Sequence, residues 1–577
     1  MDANSGTSSM RPKGPANGPG GRPGTDWHTI KWRQADRIVS NLRRRIFRAS
    51  QANDLRKVRS LQKLMLRCYS NIILSIRRVT QVNAGRNTPG VDQLVVKTPA
   101  ARGQLVDHMA TYQPWRVRPG RRVHIPKSNG TQRPLGILTV LDRCHQARVK
   151  NALEPEWEAR FEGTSYGFRP KRSCHDAIER IRTLAGANGT KPWVVDADIK
   201  GAFDNIDHDF LLRALGKAPG RELVKQWLKA GVMEDGVYHA TPAGTPQGGV
   251  ISPMLLNVAL HGMEAAVGVI HNPKGEVMGD RAVVRYADDF VVFCKTQKDA
   301  QRVKDVLLPP WLAQRGLTLS AEKTRIVHLK EGFDFLSFNV RHHEASGIKS
   351  GAKLRIKPSN QAVANKRAEL RAEWLRLRGH KLTTVLQRLN SIIRGWANYH
   401  RAVGATRVFK QLDNWMYHRA VRYIKHTHPH KPWKWCAARY WGKLHKQRGD
   451  AWVFGDKHSG HYLLKFSWFK RERHVLVRGR ASPDDPSLRE YWWERRKINH
   501  WSLTRSDEKL AVAQAWQCPV CGMDLDNGEE IQRHHRQGRA EGGSESYSNR
   551  ELVHVYCHQQ LTRRAQQRRQ ESADEQL

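Results

Sequence analysis

A multidomain protein of mixed α/β and all-α parts is the fold class this sequence predicts, and three observations carry it. The chain has 577 residues, several times the ~100–200 of a single domain. Between about residues 85 and 340, short β-branched and aromatic runs alternate with helical periods, whereas basic helical periods stand on either side. A Cys/His cluster lies near the C-terminus, beyond a Trp-rich segment.

Taken in order, residues 1–25 are rich in Gly, Pro, Ser and Asn and read as a disordered leader, with neither a signal-peptide core nor an amphipathic Arg pattern. From Trp27 to Asn83 the pattern is helical, with apolar residues at Ile38, Leu42 and Ile46, at Leu61, Leu64 and Met65, and at Ile72, Ile73 and Ile76. One basic run such as Arg43-Arg44-Arg45 is ordinarily a solvated helix face, but its recurrence over two helices points to phosphate contact. Strands are expected at Val123–Ile125, Trp193–Ile199, Val283–Tyr286, Phe290–Phe293 and Thr324–Val327, with a turn at Ser128-Asn-Gly130. Helices return from Pro358 to His426, and the segment from Pro429 to Arg505 carries a loop at Ser482–Pro486.

Composition narrows the partner. Lys and Arg number 99 against 54 Asp and Glu, a formal charge of +45, which calls for a polyanion and favours nucleic acid. The absence of any run of 18 apolar residues rules out a bilayer-spanning helix. A hydrophobic content of 39% with 19 tryptophans excludes a largely disordered basic tail. Cys68, Cys144, Cys174, Cys294 and Cys436 are scattered while Cys518, Cys521 and Cys557 cluster, so a reducing compartment with one metal site fits better than a disulfide framework.

Two acid clusters carry the chemistry. Tyr286-Ala-Asp-Asp289 lies between two apolar runs and suits a tight hairpin turn. Asp198 ends the hydrophobic run Trp193–Asp198, where an acid is costly unless paired or metal-bound. Asp198, Asp288 and Asp289 together could hold two Mg²⁺ ions about 3.5–4 Å apart, which would clamp the attacking and leaving oxygens of a phosphoryl transfer.

The ordered blocks Asp198-Ile-Lys-Gly-Ala-Phe203, Thr245-Pro-Gln-Gly-Gly-Val-Ile-Ser-Pro253 and Tyr286-Ala-Asp-Asp289 resemble a reverse transcriptase of the group II intron-encoded class. Asn83–Asp92, Ile125–Ile137, Ser165–Pro170, Leu319–Thr324 and Phe333–Phe338 resemble further blocks of that class, the last with Ser337 where Gly is usual. The resemblance implies right-hand polymerase fingers and palm with an N-terminal extension (26–345), a helical thumb or maturase X domain (346–430), a DNA-binding segment (431–506) and a small zinc-bound HNH module of ββα-metal type (507–577). It gives Asp198, Asp288 and Asp289 as the catalytic, Mg²⁺-binding acids and Phe203 as the wall that excludes a 2′-hydroxyl. Gln247, Lys127 and Arg133 are implied to lie at the incoming nucleotide. Asp196 and Asp204 are expected to be structural.

Leu389, Ile392, Ile393 and Trp396 have the spacing of a helix core, and their block resembles the maturase thumb. Arg394, Tyr399 and Arg401 are then expected to contact RNA through aromatic stacking and Arg–phosphate pairing. Cys518-x2-Cys521 with His554-x2-Cys557 supplies four ligands for a structural Zn²⁺. With His534-His535 and Asn549 between them, the segment resembles an HNH endonuclease. The resemblance implies His535 as general base, Asn549 as its orienting partner, and His534 with His558 as ligands of one further Mg²⁺. Gln537-Gly538 stands where the family has Pro, Arg550 where it has an aliphatic residue, and Thr562 where it has His. The rival expectation is therefore a zinc module that binds DNA without cutting it.

The resemblance implies an RNA-directed DNA polymerase, maturase and DNA endonuclease acting on group II intron RNA, target DNA and dNTPs. Such a protein would work as a ribonucleoprotein in a bacterial cytoplasm, without a membrane. The alternatives are a domesticated enzyme of the same class in defence or repair, and an RNA-binding splicing factor without cleavage.

Overall fold

Three helices, Trp32–Gln51, Leu55–Arg67 and Tyr69–Arg77, open the computed structural model. It describes residues 24–574 apart from 112–113, 127–131, 187–188, 273–274, 348–350, 446, 499–502 and 539–540. All but Gly24 and Thr25 of the expected leader, together with Lys127 and the turn Ser128-Asn-Gly130, lie outside the described residues. The seam between the first two helices is Val39, Leu42, Ile46, Val58, Leu61 and Met65. Ile38 and Leu64, apolar positions of the same helical periods, sit one helical step off it and are exposed. The expected role of Arg43 is corrected. It bridges Glu154 and Asp484 at 2.9 and 2.7 Å, so its charge is spent inside the protein rather than on phosphate.

A first sheet runs in the order Gln132–Ile137, Gly120–Pro126, Val232–Glu234, Val237–His239. The central sheet runs Arg325–His328, Trp193–Asp198, Asp289–Cys294, Arg281–Tyr286, antiparallel throughout. Its strands read as continuous apolar runs because both faces are buried. Val195, Ala197, Val283, Phe290 and Val292 face one core, which contains the long helix Val140–Glu158. Val194, Ala282, Val284, Val291 and Phe293 face the other, against the helix Cys174–Leu184.

A third sheet pairs Phe333–Phe335, Phe338–Glu344 and Ala352–Pro358. Its first turn puts Ser337 at φ +69, which explains the family's preference for Gly there and shows that Ser bears the left-handed conformation in this chain. The division expected at 345 falls inside the hairpin formed by the second and third strands.

Helices Asn360–Arg376, Leu382–His400 and Thr406–Thr427 pack around Leu370, Trp374, Leu389, Ile393, Phe409 and Leu412. Segment 431–506 has no single core of its own. Trp441, Phe454, Leu463 and Phe466 join the helical core, whereas Val477, Ala481 and Trp492 join the core beneath the central sheet. The chain then forms antiparallel strands Ile531–His535 and Arg550–His554, followed by helix Val555–Asp574. Among the described residues no helix is long and apolar enough to cross a membrane.

Candidate active sites

Asp198 ends its strand directly opposite Asp289 in the sheet register. Tyr286 pairs with Asp289, so the hairpin turn consists of Ala287 and Asp288 alone. Ala287 stands at φ +59, the left-handed region that such two-residue turns demand and that Ala adopts at a cost. The surroundings enforce it. Arg285, fully buried, donates to Ala287 O at 3.2 Å and to Asn257 Oδ1 at 2.9 Å. Asn257 Nδ2 donates to Gly167 O at 2.9 Å. Gly167 in turn lies so close that a Cβ there would meet Ala287 N at 2.3 Å. None of these three was singled out from the sequence. Arg285 left a signal, a lone charge inside an apolar strand, and Gly167 lies within Ser165–Pro170.

The acids share a strongly unfavourable field. Burial pushes the Asp289 carboxyl up to about 7, with Asp288 and Asp198 adding repulsion and Lys323 opposing them. Asp288 is raised by burial and then by Asp198, against the charges of Arg133 and Lys323. Lys323 Nζ lies 2.9 Å from Asp198 Oδ2, a partner that sequence reasoning missed although its block was noted. Asp196 is ion-paired to Arg325 at 3.0 Å. Clustered carboxylates short of compensating charge, offering only hard oxygens, suit divalent cations such as Mg²⁺.

Phe203 lies on the one-turn helix Ala202–Asn205, half-buried against the central core and edge-on to Phe168 at 6.1 Å. Its carbonyl accepts from Thr245 N at 2.6 Å, which anchors the following loop. Gln247 Nε2 donates to both Asp204 carboxylate oxygens at 2.9 Å, and Gln247 O accepts from Gly136 N at 2.8 Å. The structure thus brings Asp198, Phe203, Gln247, Asp288 and Asp289 to one end of the central sheet. Arg133 is exposed on the neighbouring sheet, near enough for its charge to act on Asp288.

In the helical region only Arg394, of the three residues expected at RNA, is exposed. Tyr399 Oη donates to Leu336 O at 3.0 Å, and its ring stacks on Phe338 with centroids 5.2 Å apart. Arg401 is ion-paired to Glu472. Tyr399 therefore ties the helices to the third sheet, and Arg401 ties them to the segment around Glu472.

At the C-terminal end, Cys518, Cys521, His554 and Cys557 are all buried, with their ligand atoms within 4.8 Å of one another. A tetrahedral Zn²⁺ with bonds of about 2.3 Å places its ligands about 3.8 Å apart, so three sulfurs and one nitrogen at this spacing fit that ion. His554 Nδ1 turns toward the sulfurs, 3.4 Å from Cys521, while Nε2 meets Asp524 O at 3.2 Å. That outer bond fixes the ring's orientation, as for imidazole ligands generally. Among the described residues this is the only group of three or more His, Cys, Asp or Glu side chains gathered to one point in this way; the acids at the end of the central sheet share a field, with Asp198 held by Lys323.

His534 and His535 end the first strand of the ββα unit, and His558 lies on its helix with its ring centroid 5.2 Å from that of His534. Burial lowers His534, and the nearby His558 adds to that effect while Glu551 opposes it. His535 Nε2 lies 3.4 Å from Glu545. Asn549 does not bond to His535. It accepts from Gln537 N at 2.8 Å and donates to Gln537 O and Ser544 O at 3.1 and 2.8 Å, so it orders the loop that follows His535.

Comparison with known proteins gives four matches along the chain. A family described as the N-terminal domain of reverse transcriptase matches residues 27–109, and reverse transcriptase (RNA-dependent DNA polymerase) matches 125–340. The group II intron maturase-specific domain matches 364–441, and HNH endonuclease matches 518–564. Protein YkfC of Escherichia coli (strain K12) is 32% identical over 346 residues, covering 52% of this chain and 88% of that protein. Group II intron-encoded protein LtrA of Lactococcus lactis subsp. cremoris is 33% identical over 314 residues, 44% of this chain and 51% of LtrA, so the match spans about half of that relative. Telomerase from Candida albicans, solved with a telomeric RNA fragment, aligns at 14% identity over 54% of this chain and 59% of that one with a TM-score of 0.33, too remote a likeness to bear on function.

Proposed function

The chain belongs to the group II intron-encoded family of reverse transcriptase–maturases with an HNH endonuclease domain, and from that premise we propose that it copies intron RNA into DNA at a cut target, assists the splicing of that RNA, and makes the cut itself. The observation that carries the reading is the meeting of Asp198, Asp288 and Asp289 at one end of the central sheet, in a chain that also has a maturase-type region and a ββα unit.

Asp198, Asp288 and Asp289 would hold two Mg²⁺ ions, which when bound supply activation of a primer 3′-hydroxyl and neutralisation of phosphate charge. Lys323, now 2.9 Å from Asp198, would be available to a phosphate oxygen when that carboxylate holds a metal. Phe203 leaves no space for a 2′-oxygen and offers it no hydrogen bond, so it selects deoxynucleotides. Gln247, held by Asp204, lines the same space, and Arg133 and Lys127 meet the triphosphate as cations. Arg394, one of several exposed cations of the thumb, would contact RNA.

In the C-terminal module a structural Zn²⁺ would be held by Cys518, Cys521, His554 and Cys557. His535 would take the proton from a water attacking a DNA phosphodiester, with His534 and His558 holding one further Mg²⁺. As functional regions rather than separately packed units, the chain would serve these tasks through fingers and palm (26–345), thumb (346–430), DNA-binding segment (431–506) and nuclease module (507–577). It would act as a ribonucleoprotein in a bacterial cytoplasm. The complete acid set disfavours a splicing factor with a dead polymerase. Primer extension by Asp289→Asn tests the centre of the proposal: extension should be lost while affinity for intron RNA stays near wild type, and extension at the wild-type rate would refute the site.

A further inference from the structure

The C-terminal module rests on the N-terminal helices, and one side chain of those helices reaches its ligand set. Arg77 is the last residue of helix Tyr69–Arg77, and its side chain is only 4% exposed. Its Nη2 is 2.7 Å from Glu529 Oε1, itself 3% exposed, and 3.7 Å from the Sγ of Cys521. Nη1 meets the sulfur of Met523 at 3.0 Å. Trp32 covers the guanidinium at 4.6 Å and also packs against the module's core. Lys171 and Asp526, 2.6 Å apart, form a separate flanking contact.

A buried guanidinium is costly unless its partners are charged. Glu529 is one such partner, and the other is a sulfur of the Cys518–Cys521–His554–Cys557 set. A neutral thiol accepts a hydrogen bond weakly, whereas a metal-bound thiolate is an anionic acceptor. Three thiolates around one divalent ion carry a net charge of −1, and Arg77 would lie between that charge and Glu529, attracted by both.

We infer that Arg77 is the outer-sphere positioning partner of this metal centre, so that zinc binding and the docking of the C-terminal module on the N-terminal helices form one coupled equilibrium. This rests on the zinc reading of the four ligands and not on nuclease activity. Coupling of this kind is reciprocal: the factor by which docking tightens zinc is the factor by which zinc tightens the dock.

The test uses the full-length, zinc-loaded protein and follows zinc transfer to a chromogenic chelator. Arg77→Met should release zinc about 10- to 100-fold faster, the usual effect of losing an outer-sphere partner. Arg77→Lys should recover part of that loss because it keeps the charge. Lys171→Ala, which removes only the flanking contact, should release zinc as wild type does. Release from Arg77→Met at the wild-type rate, or equal acceleration in Lys171→Ala, would overturn the inference. A second measurement needs no variant: zinc stripping should raise amide hydrogen exchange in Tyr69–Arg77 of the wild type, and exchange indifferent to zinc would also overturn it. A wild-type protein that neither retains nor reloads zinc would instead sink the metal assignment itself.

Discussion

Gly167→Ala probes the polymerase site through a residue that touches no substrate. The new Cβ would stand 2.3 Å from Ala287 N, 2.9 Å from Tyr286 C and 3.0 Å from Ala287 Cα. All three are backbone atoms of the acid hairpin, so no side chain can swing aside. Restoring ordinary contact requires the turn to move by about 1 Å, and overpacking of this kind costs about 1–3 kcal/mol. The displaced turn carries Asp288 and Asp289. A misplacement of that size in reacting groups costs about 10²-fold in rate, or about 2.7 kcal/mol on the barrier. Primer extension on an RNA template at saturating dNTP should therefore fall about 100-fold in kcat, with template affinity retained and a melting temperature lower by a few degrees. Extension within threefold of wild type, with unchanged melting, would refute the argument that Gly167 sets the position of the acid turn.

Phe203→Val should admit ribonucleotides into the product, and unchanged sugar discrimination in a misincorporation assay would remove Phe203 from the selective wall. Cys521→Ser should release zinc and unfold the ββα unit, because site and fold form together. His535→Ala should keep both and lose only second-strand cleavage of a labelled target duplex; cleavage by that variant at the wild-type level would leave the module as a DNA-binding zinc domain. Glu162 offers a pH test. Burial alone would raise it, but His261 at 3.0 Å and the Arg285 charge bring it down to about 2 from 4.5. The folded-state value is depressed, so its contribution is present above pH 4.5 and is lost as the pH falls toward 2, amounting to about 3 kcal/mol. In Glu162→Gln, urea midpoints should show a weaker fall across that window, and an identical acid limb in both proteins would contradict the assignment.

What the sequence discloses depends on how local each feature is. The central strands were legible because burial on both faces leaves unbroken apolar runs such as Val283-Val and Phe290–Phe293, and the acid turn because two residues between two strands leave few alternatives. The four zinc-type ligands were legible from two short spacings. Contacts between residues far apart in the chain were not. Lys323 reaches Asp198 from 125 positions away, and Arg43 reaches Asp484 from 441. Periodicity records which face of a helix is apolar and is silent about which cation finds a partner. For the same reason Tyr399 read as a free aromatic, although its hydroxyl and ring are engaged by Leu336 and Phe338.

The segment 471–496 shows what such long contacts accomplish. Asp176, on the helix beneath the central sheet, accepts from His474 at 2.9 Å and from Val477 N and Arg495 at 2.8 Å. Arg172 donates to Gly479 O at 2.7 Å and Ala481 O at 3.1 Å. Asp484 takes Arg43 of the first helix, and Glu472 takes Arg401 at the end of helix Leu382–His400. One strap therefore ties the first helix, the helix packed on the acid-bearing sheet and the end of helix Leu382–His400, and its Trp492 joins the core beneath that sheet. Removing it would take Asp484 from Arg43, His474 and Arg495 from Asp176, and two carbonyl acceptors from Arg172; breaking a buried ion pair by removing one partner costs about 3–5 kcal/mol. A stretch expected to serve DNA binding is for that reason also part of the polymerase's own framework, and a truncation designed to remove DNA binding would first disturb the geometry of the acids.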